Sequence, residues 1–136
     1  MGNTRVLVIE DNADNLDLVR FLLEQAGCEV LEARDGRAGL NLAREHVPDV
    51  LLLDMSIPEV NGWTVARLLK SQPNTRKICI VALTAHILPG DRKKAFDAGC
   101  DGYISKPLDI PNFVDQVNSY LEKFKTKHEP FVSNKE

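Results

Sequence analysis

The sequence predicts an α/β fold, a single doubly wound parallel sheet of five strands with helices on both faces. One observation is a run of four aliphatic residues, Val50 to Leu53, that ends at a carboxylate, Asp54. A wholly apolar strand is typical of a parallel sheet covered on both faces. The other is that five strand-like runs alternate with five segments of helical periodicity, which favours parallel α/β architecture.

Strand-like runs and helical periodicity divide the chain into alternating elements. The apolar stripe after the first strand stops at Gly27, a residue that favours helix ends. Asp35-Gly36 opens the second helix and Pro48 closes it. The predicted strands cover residues 5–9, 28–33, 50–54, 78–83 and 101–105, and the predicted helices cover about 16–26, 36–46, 63–71, 91–98 and 110–125.

The last helix has its own start signals. Asp109 is predicted to cap it, and Pro111 lies in the first turn, where a missing N–H costs nothing. Its predicted buried face consists of Phe113, Val114, Val117, Leu121 and Phe124.

Length and composition indicate one globular domain. The chain has 136 residues, of which 43% are hydrophobic and 27% charged, as is ordinary for a soluble protein. We assign residues 1–125 to the domain. Residues 126–136 are polar apart from Phe131-Val132, so we expect a flexible tail or the start of a linker.

Charge and cysteine usage exclude several classes of function. The net charge is −3, with 17 basic and 20 acidic residues, which gives no overall basic footprint for nucleic acid. Neither a membrane span nor a signal-peptide core is predicted. Cys28, Cys79 and Cys100 are odd in number and mostly lie in apolar runs, so we expect reduced thiols in a cytoplasmic protein.

Polar side chains follow four of the predicted strands. Glu10-Asp11 follows the first strand, Asp54 the third, Thr84 the fourth and Lys106 the fifth. Singly, these residues have ordinary interpretations: a capping acidic loop, a solvated aspartate, a strand-end threonine and a surface lysine. Open α/β sheets place their ligand sites at the carboxyl ends of their strands, so together the residues predict one site.

The carboxylates predict a divalent metal. Three carboxylates packed together repel, so one would hold a proton unless a cation intervenes. Hard carboxylate oxygens with open water positions suit Mg²⁺. We assign Asp11 and Asp54 as direct ligands and Glu10 as a ligand through water.

Over about residues 5–125 the chain resembles the receiver domains of two-component response regulators, and it is similar to single-domain chemotaxis and cell-cycle regulators. The resemblance implies the flavodoxin-like strand order 2-1-3-4-5. The motifs that carry it stand in order, mostly at strand ends: Glu10-Asp11, Asp54, Ile57-Pro58 with Asn61-Gly62, Thr84-Ala85 and Gly102 to Pro107.

The resemblance implies a phosphorylation site. Asp54 would accept a phosphoryl group from a phosphohistidine of a histidine kinase or histidine phosphotransfer protein. Lys106 and Mg²⁺ would neutralise charge on the phosphoryl oxygens. The backbone carbonyl of Ser56 would complete the metal ligands, and the Lys106–Pro107 peptide bond would be cis.

The resemblance also implies a switch. The Thr84 hydroxyl would donate to a phosphoryl oxygen, and Tyr103 would turn from exposed to buried, although a static half-buried tyrosine remains the alternative. The output face would comprise the fourth helix, fifth strand and fifth helix. Ser56 and His86 occupy positions that govern access of the hydrolytic water, and the direction of their effect stays open.

We therefore expect a signalling switch and not an enzyme, apart from slow self-dephosphorylation. Its downstream target would be a protein, and it would be a monomer or weak dimer without direct contact to DNA or membrane. A receiver module excised from a hybrid kinase or larger regulator is an alternative. A haloacid-dehalogenase-type phosphatase would need an aspartate where Ser56 stands, and a flavin or nucleotide binder would need a glycine-rich loop after the first strand.

Overall fold

A computed structural model describes residues 1–55, 57, 60–85 and 90–128 and confirms the predicted α/β fold. Five parallel strands form one sheet in the order β2-β1-β3-β4-β5. The strands are β1 (Arg5–Ile9), β2 (Glu29–Ala33), β3 (Val50–Asp54), β4 (Cys79–Thr84) and β5 (Gly102–Ser105). The helices are α1 (Ala13–Gln25), α2 (Gly36–His46), α3 (Gly62–Lys70), α4 (Asp91–Asp97) and α5 (Phe113–His128).

The sheet separates two apolar cores, because successive side chains of a strand point to opposite faces. Leu51 and Leu53 of β3 belong to the core on one face, with residues of α2, α3 and α4. Val50 and Leu52 belong to the core on the other face, with residues of α1 and α5. Burial on both faces explains why β3 is apolar up to Asp54.

Side chains cap the first three helices and leave the fourth uncapped. Asn12, Asp35 and Asn61 each accept a hydrogen bond from a backbone N–H in the first turn of the helix that follows. By contrast, α4 has seven residues and begins after Gly90, without a side-chain cap. Ala95 is its buried residue, so α4 is weakly anchored to the core.

The structure corrects the predicted start of the last helix. A 3₁₀ turn over Ile110–Asn112 precedes α5, and Asp109 makes no side-chain capping bond to it. The Asp109 carboxylate instead accepts a bond of 2.8 Å from the side chain of Asn112. Pro111 lies inside this tighter turn, and regular α-helix begins at Phe113.

The helix α5 also ends later than predicted. It continues to His128, beyond the expected boundary at residue 125. Lys127 lies in this extension and Lys125 directly before it, and cations are favourable near a helix C-terminus. The predicted flexibility of the tail concerns residues 129–136, which lie outside the described residues.

Two further properties follow from burial and helix length. The three cysteines are buried and unpaired, as expected for reduced thiols. Among the described residues, no helix combines the length and apolar character that crossing a bilayer requires.

Candidate functional site

Four strands bring the predicted site residues to one edge of the sheet. The register pairs Ile9 with Leu53, Asp54 with Leu83 and Thr84 with Ser105, which aligns the carboxyl ends of the strands. Backbone bonds continue the ladder past the strands. The N–H of Glu10 donates to Ala33 at 3.0 Å, and the N–H of Lys106 donates to Thr84 at 2.8 Å. The sheet itself therefore positions the side chains of Glu10, Asp54, Thr84 and Lys106.

Three carboxylates converge at this edge. Glu10, Asp11 and Asp54 each offer one oxygen, and these oxygens lie within 4.8 Å of one another. Glu10 is 1% exposed and Asp54 is 3% exposed, whereas Asp11 is open to solvent. The set is thus buried on one side and accessible on the other.

Lys106 provides the cation of the cluster. Its Nζ lies 2.9 Å from Glu10 Oε1 and 3.4 Å from Asp54 Oδ2. Burial, the largest influence, lowers the pKa of Lys106, but the hydrogen bond to Glu10 and the charge of Asp54 together raise it above its usual value. Lys106 therefore stays protonated at neutral pH.

The pKa of Glu10 is also raised above its usual value. Burial is the largest cause and the hydrogen bond to Asp54 is the next, while Lys106 acts against this shift. Burial and like charge both disfavour a second carboxylate here. Even with one proton shared between Glu10 and Asp54, the cluster carries more negative charge than the Lys106 ammonium balances, so it attracts a further cation. Clustered hard oxygens with one open side fit Mg²⁺.

Gly62 allows α3 to approach the residue that follows β3. A Cβ at this position would lie 2.7 Å from Met55 Cα and 3.1 Å from the Asp54 carbonyl oxygen. Since real Cβ atoms do not approach a backbone carbon so closely, only glycine permits this packing without a shift. Helix α3 thereby fixes the backbone beside Asp54.

The remaining predicted residues lie around the cluster or outside the described residues. Thr84 is buried at the end of β4, and Tyr103 is half-buried on β5. The Tyr120 hydroxyl donates to the Tyr103 carbonyl oxygen at 3.0 Å. The peptide bond between Lys106 and the next residue is cis. Ser56 and His86 lie outside the described residues.

Sequence reasoning missed an apolar groove beside the cluster. The groove has a volume of about 440 Å³ and runs between α1 and the segment after β5. Glu10 and Lys106 line one part of it, and its larger apolar residues are Leu18, Leu83, Leu108 and Ile110. One signal was available: Leu18 lies off the buried stripe of α1, which consists of Leu16, Val19 and Leu23.

The fold and the cluster together define a doubly wound α/β domain whose acidic site lies at the carboxyl edge of the sheet, where such folds bind ligands. The family model of the response regulator receiver domain matches residues 6–118. The chain therefore belongs to the response regulator receiver domain family, as the sequence motifs predicted. Phosphorylation and Mg²⁺ binding are general features of this family, whose members serve as signalling modules.

Curated relatives and solved structures agree with this assignment. The polar-differentiation response regulator DivK of Brucella anthropi is 42% identical over 116 residues, which is 85% of this chain and 94% of DivK. The receiver domain of a sensor histidine kinase from Pseudomonas aeruginosa, solved with a magnesium ion coordinated in its active-site cleft, has a TM-score of 0.81 at 28% identity, covering 89% of this chain and 99% of that domain. A response regulator structure from Chloroflexus aurantiacus has a TM-score of 0.83 at 27% identity, covering 88% and 98% of the two chains.

Proposed function

We propose that this protein is a phosphorylation-dependent signalling switch in which Asp54 accepts a phosphoryl group from a histidine kinase or histidine phosphotransfer protein. The observation that carries the proposal is the position of Lys106 Nζ, 2.9 Å from Glu10 and 3.4 Å from Asp54. A nearly buried acceptor carboxylate beside a fixed ammonium is the arrangement that phosphoryl transfer to an aspartate requires.

In the proposed transfer, a carboxylate oxygen of Asp54 attacks the phosphorus of a phosphohistidine. The new P–O bond forms as the P–N bond breaks, and the leaving imidazole keeps the electron pair of that bond. The product is an acyl phosphate on Asp54. Phosphoryl transfer depends on positioning and on neutralising the charge of the phosphoryl oxygens. The Lys106 ammonium would neutralise one oxygen, and the Thr84 hydroxyl would donate a hydrogen bond to another.

The metal assignment rests on the donor set. Asp11 and Asp54 are the proposed direct ligands of Mg²⁺, and Glu10 is the proposed ligand through water. The carbonyl of Ser56 completes the set by resemblance to the family. A bound divalent ion would neutralise negative charge on the acceptor and on the phosphoryl group. The convergence of three carboxylates and the magnesium described for the Pseudomonas domain support this assignment.

The groove beside α1 is the proposed docking site for the phosphodonor. It combines apolar residues, Leu18, Leu108 and Ile110, with access to Lys106 at the edge of the site. An amphipathic helix lays its apolar face into such a groove. A helix seated there would present its phosphohistidine to Asp54 while covering the groove from water.

The proposed output face consists of α4, β5 and α5. A phosphoryl group adds negative charge and strong acceptors, which would draw Thr84 inward and open space for Tyr103. Weak anchoring of α4 would keep the free energy cost of this movement low. Ser56 and His86 are proposed to set the lifetime of the phosphoryl group. Similarity to regulators named for polar differentiation supports a protein target in a pathway of that kind.

Intact mass spectrometry after incubation with Mg²⁺ and acetyl phosphate tests the acceptor. The wild-type chain should gain one labile phosphoryl group, while Asp54→Asn and the wild type in EDTA should gain none. Asp101→Asn, directly before β5 at the opposite end of the sheet, is the matched control and should be phosphorylated. An adduct on Asp54→Asn, or none on a wild-type chain that binds Mg²⁺, would contradict the proposal.

A further inference from the structure

The amino end of the sheet, opposite the acidic site, carries three adjoining grooves. Their volumes are about 600, 320 and 170 Å³. The first two share Asp101, the last two share Phe124, and the first and last share Lys77. They therefore form one continuous surface around these three residues, which we call the amino-end surface.

Exposed cations surround the amino-end surface. They are Arg76, Lys77, Lys123, Lys125 and Lys127. Across the described parts of the chain, none of these five side chains forms an ion pair. This is a marked local excess of positive charge on a chain whose net charge is −3.

The acidic residues of this surface are already engaged. Lys70 Nζ lies 2.7 Å from Asp101 Oδ2, so this pair is neutral. The carboxylate of Asp49 accepts a bond of 2.9 Å from the backbone N–H of Arg5. That hydrogen bond does not neutralise Asp49, so among the described residues the surface has five cations and one carboxylate outside ion pairs. The excess of positive charge is available to a partner from outside the chain.

The floor of the grooves is apolar. Phe124 of α5 lines two of the grooves, and Leu121, Val47 and Pro48 line one of these two with it. Pro73 lines the third groove. A rim of cations over an apolar floor matches a chain segment that carries both carboxylates and apolar side chains. Charge complementarity of this kind guides association and excludes wrong partners.

We propose that the amino-end surface binds an acidic, partly apolar segment of a partner protein, whether or not Asp54 is phosphorylated. The surface lies at the opposite end of β4 from Thr84. The ion pair at its centre is tied to backbone groups of β4 and the residue before it. Phe96 of α4 and the α5 residues of this surface also belong to the proposed output face. The groove lined by Lys70, Lys77 and Asp101 has no residue of α4, β5 or α5, so binding at that groove does not depend on the proposed switch.

The same features disfavour two other kinds of partner. Single-stranded nucleic acid stacks its bases on open aromatic faces. Here Lys70 Nζ lies 4.8 Å from the centre of the Phe124 ring, which is only 8% exposed. The Arg92 Cζ lies 5.9 Å from the centre of the Phe96 ring, so a cation already covers one face of each ring. A flat lipid surface would reach the rim cations but not the apolar floor.

The test is fluorescence anisotropy with a labelled twelve-residue peptide in which glutamate alternates with phenylalanine and leucine. Binding should weaken at least about tenfold in the double variant Lys77→Glu/Lys125→Glu, and by less in the matching double alanine variant. Arg37→Glu, an exposed charge reversal on α2, should bind as the wild type does. Beryllofluoride, a mimic of the phosphoryl group, should not change the affinity.

Several outcomes would overturn the proposal. They include no binding of the peptide by the wild type, equal binding of a glycine–glutamate peptide, and equal loss in Arg37→Glu. Tighter binding of a twelve-nucleotide DNA strand or of phosphatidylglycerol vesicles would assign the surface to those partners. Self-association through the same lysines, or much tighter peptide binding by a chain ending at His128, would assign it to a second copy or to residues 129–136. A change with beryllofluoride alone would contradict independence from phosphorylation while leaving the acceptor role of Asp54 intact.

Discussion

Two lysines at opposite ends of the sheet each meet a carboxylate, yet their surroundings differ. At the carboxyl edge, Lys106 divides its ammonium between Glu10 at 2.9 Å and Asp54 at 3.4 Å, with the carboxylate of Asp11 close by. This cluster has more negative charge than its single cation neutralises.

The amino end holds a balanced pair. Lys70 Nζ lies 2.7 Å from Asp101 Oδ2, and their side chains are 17% and 21% exposed. Lys70 also donates to the carbonyl oxygens of Arg76 at 3.0 Å and Ile78 at 2.7 Å. The Asp101 carboxylate accepts a bond of 2.9 Å from the N–H of Ile80. The charges of Lys70 and Asp101 and their hydrogen-bonding groups therefore have partners within the chain.

A lysine and carboxylates thus have a structural role in one cluster and a proposed functional role in the other. A balanced pair with backbone partners fixes the packing of α3 against β4 and β5. A cluster with surplus negative charge stores repulsion that a metal ion and a phosphoryl group would relieve. Functional sites commonly carry such destabilising groups.

The same substitution should therefore have opposite effects on stability in the two clusters. Asp101→Asn leaves Lys70 without its counter-ion and should lower the free energy of unfolding by about 2 kcal/mol, less than for a fully buried pair. Asp54→Asn removes repulsion and should raise it by about 1 kcal/mol. Urea unfolding in EDTA measures both, and changes of the same sign would show that the clusters do not differ as we infer.

Alkaline pH should destabilise the chain through the thiols near the balanced pair. Burial, assisted by the charge of Asp101, raises the pKa of Cys79 and of Cys100 to about 12. A raised pKa stabilises the fold fully below the pKa of the unfolded thiol, and this contribution is lost as the pH rises from about 9 to about 12. Between pH 8 and 9.5 the free energy of unfolding should fall by about 1 kcal/mol for each thiol.

The double variant Cys79→Ala/Cys100→Ala is the control for this prediction. Its stability should change much less over the same pH range, whereas Asp54→Asn should follow the wild type because it leaves both thiols in place. An equal fall in the double variant would assign the pH dependence to other groups.

Mg²⁺ should stabilise the chain only through the cluster of Glu10, Asp11, Asp54 and Lys106, which we call the open cluster. At about ten times its dissociation constant, Mg²⁺ should raise the free energy of unfolding by about 1.4 kcal/mol. Asp11→Asn and Asp54→Asn should lose most of this gain, and Asp101→Asn should keep it. The measurement is urea unfolding with and without Mg²⁺ at matched ionic strength. A full gain in Asp11→Asn would refute the assigned ligands.

Sequence reasoning was most effective where a local pattern carries the information. The aliphatic run that ends at Asp54 predicted both a buried strand and a residue at the ligand-binding edge, and burial on both faces is the physical cause of that pattern. The polar residues after four strands predicted their convergence, because parallel strands end at one edge.

The balanced pair shows where such reasoning stops. Lys70 and Asp101 are far apart in the sequence, and no periodic pattern around either residue indicates that the two form a pair. Their pairing depends on how α3 packs against the start of β5. The predicted start of α5 was wrong because the sequence around Pro111 is compatible with either a 3₁₀ or an α-helical first turn.

The prediction with the smallest expected effect distinguishes what the ion pair of Lys70 contributes to stability from what its contact with an aromatic ring contributes. Lys70 Nζ lies 4.8 Å from the Phe124 ring, and Lys94 Nζ lies 4.8 Å from the ring of Trp63, the only tryptophan. Because Lys94 is exposed, Lys94→Met should lower the free energy of unfolding by only about 0.5 kcal/mol and should change the fluorescence of Trp63.

Comparison with two other lysines completes this test. Lys93→Met, in the same helix, removes an exposed pair with Asp97 and should leave both stability and fluorescence unchanged. Lys70→Met should cost several times more than Lys94→Met, because it also leaves Asp101 without its cation. Equal costs for Lys70→Met and Lys94→Met would mean that the ring contact, and not the ion pair, is what Lys70 contributes. The distinction between a balanced and an open cluster would then lose its energetic basis.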